Sequence, residues 1–187
     1  MPVVAGEIPP GYIGLMRRLS LAGLFATLGL LLPLGFHAVG LGKAFLPMHI
    51  PVLLTGIYLG WRWGVTVGVV VPLLSGALTG MPSFAPPVAL MMMVELPLYG
   101  ASVAVLYRSL RTGAFLAVAG AAFAGRLTYG ATGYLLFPLF GWPAIGFLYP
   151  VTAGLVSGLP GILVQLTVVP LLVSRFTPEG YRQAYST

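Results

Sequence analysis

The chain has 187 residues, 58% of them hydrophobic and only 6% charged, with three acids against nine bases. A soluble domain carries roughly 25% charged residues, so this composition excludes a water-facing surface over most of the molecule. The net charge of +6 does not point to nucleic acid, because the bases stand singly between apolar runs and form no patch.

A membrane-spanning helix needs about 20 mostly apolar residues, within a range of roughly 17–25. Residues 1–18 are expected to form a cytoplasmic N-terminal lead that closes on Arg17 and Arg18. The first apolar run covers 19–38. Its basic flank and the small residues after it resemble a signal peptide, but its core exceeds the usual ~7–15 residues and is taken as a retained helix. The second run begins near Phe45 and ends at Gly60, where Trp61, Arg62 and Trp63 interrupt it. The third continues to about Gly80, the fourth covers 86–107, and the fifth covers 114–138. The sixth runs from about 145 to 174, giving a transmembrane domain over 19–175 and a cytoplasmic tail over 176–187. The runs are continuous rather than alternating, which excludes a β-barrel with a polar lumen. The fold class expected is an all-α integral membrane protein with six transmembrane helices. The second and third runs are short, and a re-entrant pair is the alternative there.

Six crossings put both termini on one side. Basic flanks favour the cytoplasm. With both ends inside, Arg17, Arg18, Arg62, Arg108, Arg111, Arg175 and Arg182 are all cytoplasmic, and only Lys43 falls in an outer loop. The expected location is the inner (plasma) membrane, with lipid as a constant partner.

Small residues at four-residue spacing let helix backbones approach closely in lipid. Gly56, Gly60, Gly64 and Gly68 follow this spacing, as do Gly76 with Gly80 and Gly154 with Gly158. Ordinary packing accounts for them. Ala22 and Ala26 lie one turn apart on the first helix, with Gly29 next on that face. That stripe suits either this protein's own helices or a partner subunit.

Ionisable groups inside the runs are the sharper clues. Glu95 lies within the fourth helix and Arg126 within the fifth. On insertion scales each costs roughly 2.5–3.5 kcal/mol at a helix centre, so neither faces lipid. Tyr99 follows Glu95 by one turn, Tyr129 follows Arg126, and Gln165 adds a polar group to the sixth helix. A shared polar inner surface results. It serves as a structural Glu95–Arg126 pair, as a ligand site, or as both. His49 is expected near the outer surface, covering a pocket. The loops over 43–49, 81–87 and 140–149 are rich in Met, Pro and aromatics and suit a lid over an amphipathic small molecule.

Several chemistries are excluded. Without Cys there is no disulfide, thiolate catalysis or Cys-bound metal. His37 and His49 are too far apart for a helical metal face and have no acid nearby, so no metal and no cofactor is expected. No Asp occurs, and Ser75 and Ser157 have no base within one helix, so the chain is not read as an enzyme.

The pattern resembles the substrate-binding S components of energy-coupling factor (ECF) vitamin transporters. The residues that carry the likeness are 22–26 (AGLFA), 45–52 (FLPMHIPV), 78–82 (LTGMP), and Glu95 with Tyr99 and Gly100. The resemblance implies an S-component-like bundle that captures a small organic vitamin or precursor at the outer face. It also implies handover inward with a transmembrane coupling subunit and two cytoplasmic ATPases. Ala22 and Ala26 would match the surface that docks the coupling subunit. No phosphate-binding Gly-x-x-x-x-Gly-Lys loop occurs, in keeping with ATPases on other chains. Nickel and cobalt members carry a His just behind the starting Met; Pro2 stands here, which disfavours metal uptake. Glu95 with Arg126 suits a zwitterion, and Arg126 alone a carboxylate. Tyr129, Tyr134, Trp142 and Tyr149 suit stacking on a heterocycle. The competing class is a stand-alone facilitator or secondary transporter of a small amphipathic solute.

Overall fold

The computed structural model describes residues 10–38, 40, 45–143, 146 and 149–176, with side chains in the first and last helices from Gly14 and Gly158 onward. Among these residues every regular element is helical. The helices are α1 (Pro10–Ala38), α2 (His49–Leu59), α3 (Trp61–Thr79), α4 (Val88–Ala104), α5 (Ala114–Leu139) and α6 (Tyr149–Phe176). One π-helical turn, Val105–Ser109, extends α4. The all-α architecture expected from composition is therefore observed among the described residues.

Among the described residues five helices are long and apolar enough to cross a membrane: Gly14–Ala38, Trp61–Thr79, Val88–Ser109, Ala114–Leu139 and Gly158–Phe176. The sixth expected span is different. Helix α2 has 11 residues, about 16 Å of rise, which is near half the ~30 Å hydrocarbon thickness. A half-length helix is tolerable in lipid only when protein surrounds it. That condition is met, since every α2 residue except Ile50 and Tyr58 is buried.

Gly60 makes the sharp reversal between α2 and α3. Its φ of +94° lies where only glycine is unstrained. The aromatic–arginine stretch does not break the chain, because Trp61 already belongs to α3. At the end of α2 the Tyr58 carbonyl accepts from Arg108 Nη1 at 3.1 Å.

Helices α3 and α4 meet backbone to backbone. A Cβ added at Gly64 would lie 2.8 Å from the Gly100 carbonyl carbon, and one at Gly100 would lie 2.6 Å from that of Gly64. Small residues supply this approach, since lipid offers no hydrophobic drive to associate. The seam fixes levels along the bundle. Glu95 lies five residues beyond Gly100, and His49 lies eleven residues from Gly60. Helical rise puts both about 13–16 Å from the Gly60 turn. Helix α1 packs on α2 and α3, α5 packs on α4, and α6 packs on α5 and α2.

Candidate functional site

The levels set by the glycine seam bring three charged or titratable side chains together. Glu95 Oε1 lies 3.0 Å from Arg126 Nη2 and 3.5 Å from His49 Nε2. Arg126 Nη2 and His49 Nε2 are 3.4 Å apart. Arg126 Nε donates to the Tyr99 hydroxyl at 3.4 Å. The His49 and Tyr99 rings meet edge to face with centroids 4.6 Å apart. The Arg126 guanidinium also sits 5.6 Å from the Tyr129 ring centroid, within cation–π range. Glu95, His49 and Tyr99 are at most 1% exposed and Arg126 is 6% exposed.

The sequence places these groups by simple means. Glu95 and Tyr99 are one turn apart and so share a face of α4. Gly125, beside Arg126, leaves the space that the Tyr99 ring fills; a Cβ there would overlap the ring. His49 opens α2, and only the shortness of that helix carries it to this depth.

Electrostatically the cluster is balanced but not fully bonded. The carboxylate and guanidinium cancel. Glu95 Oε1 accepts no aligned hydrogen bond despite its close cations, and His49 Nδ1 has no partner. Nε2 of His49 faces a donor and an acceptor at once. With its proton on Nε2 it donates to Glu95 and leaves Nδ1 as an acceptor; with the proton on Nδ1 it accepts from Arg126 and leaves Nδ1 as a donor. Gln165 on α6 is 0% exposed, and neither its oxygen nor its nitrogen is bonded. Buried polar atoms are normally bonded, so several unbonded ones in one bundle call for an explanation.

The family model "ECF transporter, substrate-specific component" matches residues 17–173. That stretch includes every residue of the buried cluster and Gln165. The chain belongs to this family. It is thus a multi-pass membrane protein of the kind that supplies substrate recognition to an ECF transporter, and the family is not an enzyme family. No curated protein and no solved structure matches the chain.

In this substrate-specific component the expected ligand residues divide into two groups. Glu95, Arg126, Tyr99, Tyr129 and His49 come together. His49 is buried, rather than lying at the surface as a cover. Gln165 is buried as expected, on the helix that packs against α5 and α2. Trp142 is 42% exposed and Tyr134 49% exposed, outside that cluster. The side chain of Tyr149 lies outside the described residues, as does Lys43. The small-residue face of α1 turns inward: Ala22 is 6% exposed and part of the apolar core, and Ala26 is half-buried against it. A Cβ at Gly29 would lie 2.9 Å from Val71. Ala22 and Gly29 therefore serve this protein's own packing. No group of three or more His, Cys, Asp or Glu side chains suited to a metal occurs among the described residues.

Residues 81–87 form an ordered cap at the end of α3. The Ser75 hydroxyl donates to the Met81 carbonyl at 2.6 Å, and Phe84 covers Gly76. Sequence reasoning named His49 as a pocket residue but placed it near the outer surface rather than against Glu95 and Arg126, and it missed Gly125 as the space for Tyr99.

Proposed function

We propose that this chain captures a small polar organic molecule, of the vitamin or vitamin-precursor class, at the Glu95–Arg126–His49–Tyr99 cluster. It then passes the molecule inward with a transmembrane coupling subunit and two cytoplasmic ATPases. Both termini face the cytoplasm of the plasma membrane in this reading, because the arginine-rich ends favour that side. The observation that carries the reading is the buried ion pair with an unbonded ring nitrogen of His49 beside it and an unbonded amide on the neighbouring helix α6. A purely structural pair gains most when every lone pair and proton is satisfied. Here His49 Nδ1 and the Gln165 amide are left for something else.

Helix α1 remains the proposed docking element for the coupling subunit. Ala26, at the edge of the inward stripe, is its contact residue; Ala22 stands behind it in the core. Trp142, and Tyr149 at the start of α6, are proposed only as residues on the ligand's path.

Binding tests the proposal. Purified protein is examined by mass spectrometry for a co-purifying small molecule, in wild type and in Arg126→Met. A bound molecule that is lost from the variant by more than about tenfold, or about 1.4 kcal/mol, supports the reading. Undiminished binding would reduce the pair to a lock between α4 and α5.

A further inference from the structure

We infer that the ligand carries no net charge and presents a neighbouring donor and acceptor, such as the edge of a cyclic amide or amidine, to Gln165. The Glu95–Arg126 pair stays closed beside it. This rests on the reading that the cluster is the substrate site.

Charge comes first. Glu95 and Arg126 already neutralise each other at 3.0 Å. An anionic ligand would have to draw Arg126 away and leave a carboxylate that is 1% exposed without its partner, a strongly unfavourable state for a buried charge. A cationic ligand would strand Arg126 in the same way. The start of α2 adds little for an anion, although helix N-termini attract them. The His49 N–H already donates to the Leu46 carbonyl at 3.1 Å, and Pro51 has no N–H to offer.

Position comes second. Residues 158, 165 and 172 are spaced by seven and share one face of α6. Gly158 on that face meets the Leu46 side chain, and the Leu172 carbonyl accepts from the Tyr58 hydroxyl at 3.5 Å. Both contacts are with the chain of α2 or its approach. Gln165, midway between them on a helix that packs against α5 and α2, is 0% exposed and so points into the bundle. By helical rise Gln165 lies about 24 Å from the first residue of α6, and Arg126 lies about 20 Å from the last residue of α5, the helix α6 packs against.

Chemistry comes third. A primary amide sets one acceptor oxygen beside a two-proton donor. Its full complement is another amide edge, donor to oxygen and acceptor to nitrogen. A carboxylate would satisfy the nitrogen and set oxygen against oxygen. Removing both vacancies at once is worth more than removing one, because a buried unmade hydrogen bond costs its desolvation without return.

The test uses the full chain in detergent, incubated with a defined equimolar mixture of water-soluble vitamins, nucleobases and their precursors. The mixture includes matched carboxamide and carboxylate pairs such as nicotinamide and nicotinate. After washing, the retained compound is identified by mass spectrometry for wild type, Gln165→Leu and Gln165→Glu, with melting curves recorded for each. The expected compound is electroneutral, bears an amide or amidine edge, and is recovered at least tenfold less by both variants, with the melting temperature of Gln165→Leu unchanged. Gln165→Leu should fold, since it replaces an unbonded buried amide with an apolar side chain of similar size. Retention of a net anion or cation, or full recovery by Gln165→Leu, overturns this inference and leaves the substrate site standing. No retention by folded wild type overturns both.

Discussion

The α3–α4 seam and the polar cluster one to two turns beyond it are built on opposite principles. At the seam, Gly64 and Gly100 touch through their backbones, and nothing larger fits. In the cluster, four polar side chains from three helices lie within 3.0–3.5 Å of a neighbour, yet Glu95 Oε1 and His49 Nδ1 accept or donate no aligned bond. The seam is closed and apolar; the cluster is charged and incompletely satisfied. A membrane protein that must hold its helices in register and still admit a polar molecule needs both kinds of contact, and they are kept apart by only five residues of α4.

Breaking the seam should do the most damage. Gly64→Leu forces α3 and α4 apart, with a loss above about 3 kcal/mol, the upper end of overpacking costs. Folded protein should be lost, as judged by gel filtration and thermal melting in detergent. A wild-type melting curve would mean that the seam is not a fixed contact.

The cluster should respond in two separable ways. Arg126→Met strands Glu95 and should destabilise by about 3–5 kcal/mol, as for other broken buried pairs. Glu95→Leu with Arg126→Met removes both charges, and stability should return to within about 1 kcal/mol of wild type. A double variant as unstable as the single one would point to packing rather than charge.

Helix α1 separates assembly from capture. Ala26→Trp should lower uptake in cells by more than tenfold while the purified variant retains its ligand, with a stability loss near 1 kcal/mol. Uptake at the wild-type level would remove α1 as the docking element. The smallest effect is expected at Trp142, which is 42% exposed. Trp142→Ala should change ligand recovery by less than about twofold, well under the tenfold that corresponds to about 1.4 kcal/mol. A larger loss would bring the outer loop into the binding site.

Much of the membrane architecture was legible because apolar runs and helices coincide closely. The fifth run at 114–138 became α5, Ala114–Leu139. The first helix starts at Pro10, inside the polar lead, because hydropathy marks where lipid begins and not where a helix does. Arg17 and Arg18 lie on that helix ahead of its apolar run.

The site was half legible. Glu95 and Arg126 declare themselves by their cost in lipid, and Tyr99 by its spacing from Glu95. His49 does not, because its depth depends on α2 stopping after 11 residues and on Gly60 reversing the chain. The direction of the α1 stripe was also open. Ala22 and Ala26 offer the same small surface to any neighbour, and only the packed bundle shows that Ala22 is taken into this protein's own core.

The central claim is that the buried pair serves a ligand as well as the fold. Ligand recovery by the Glu95→Leu/Arg126→Met variant tests it most directly, because the structural cost of stranding one charge is absent. The account predicts a protein that melts near the wild-type temperature and retains at least tenfold less of the co-purifying molecule. A variant that melts normally and still carries its full complement would contradict it.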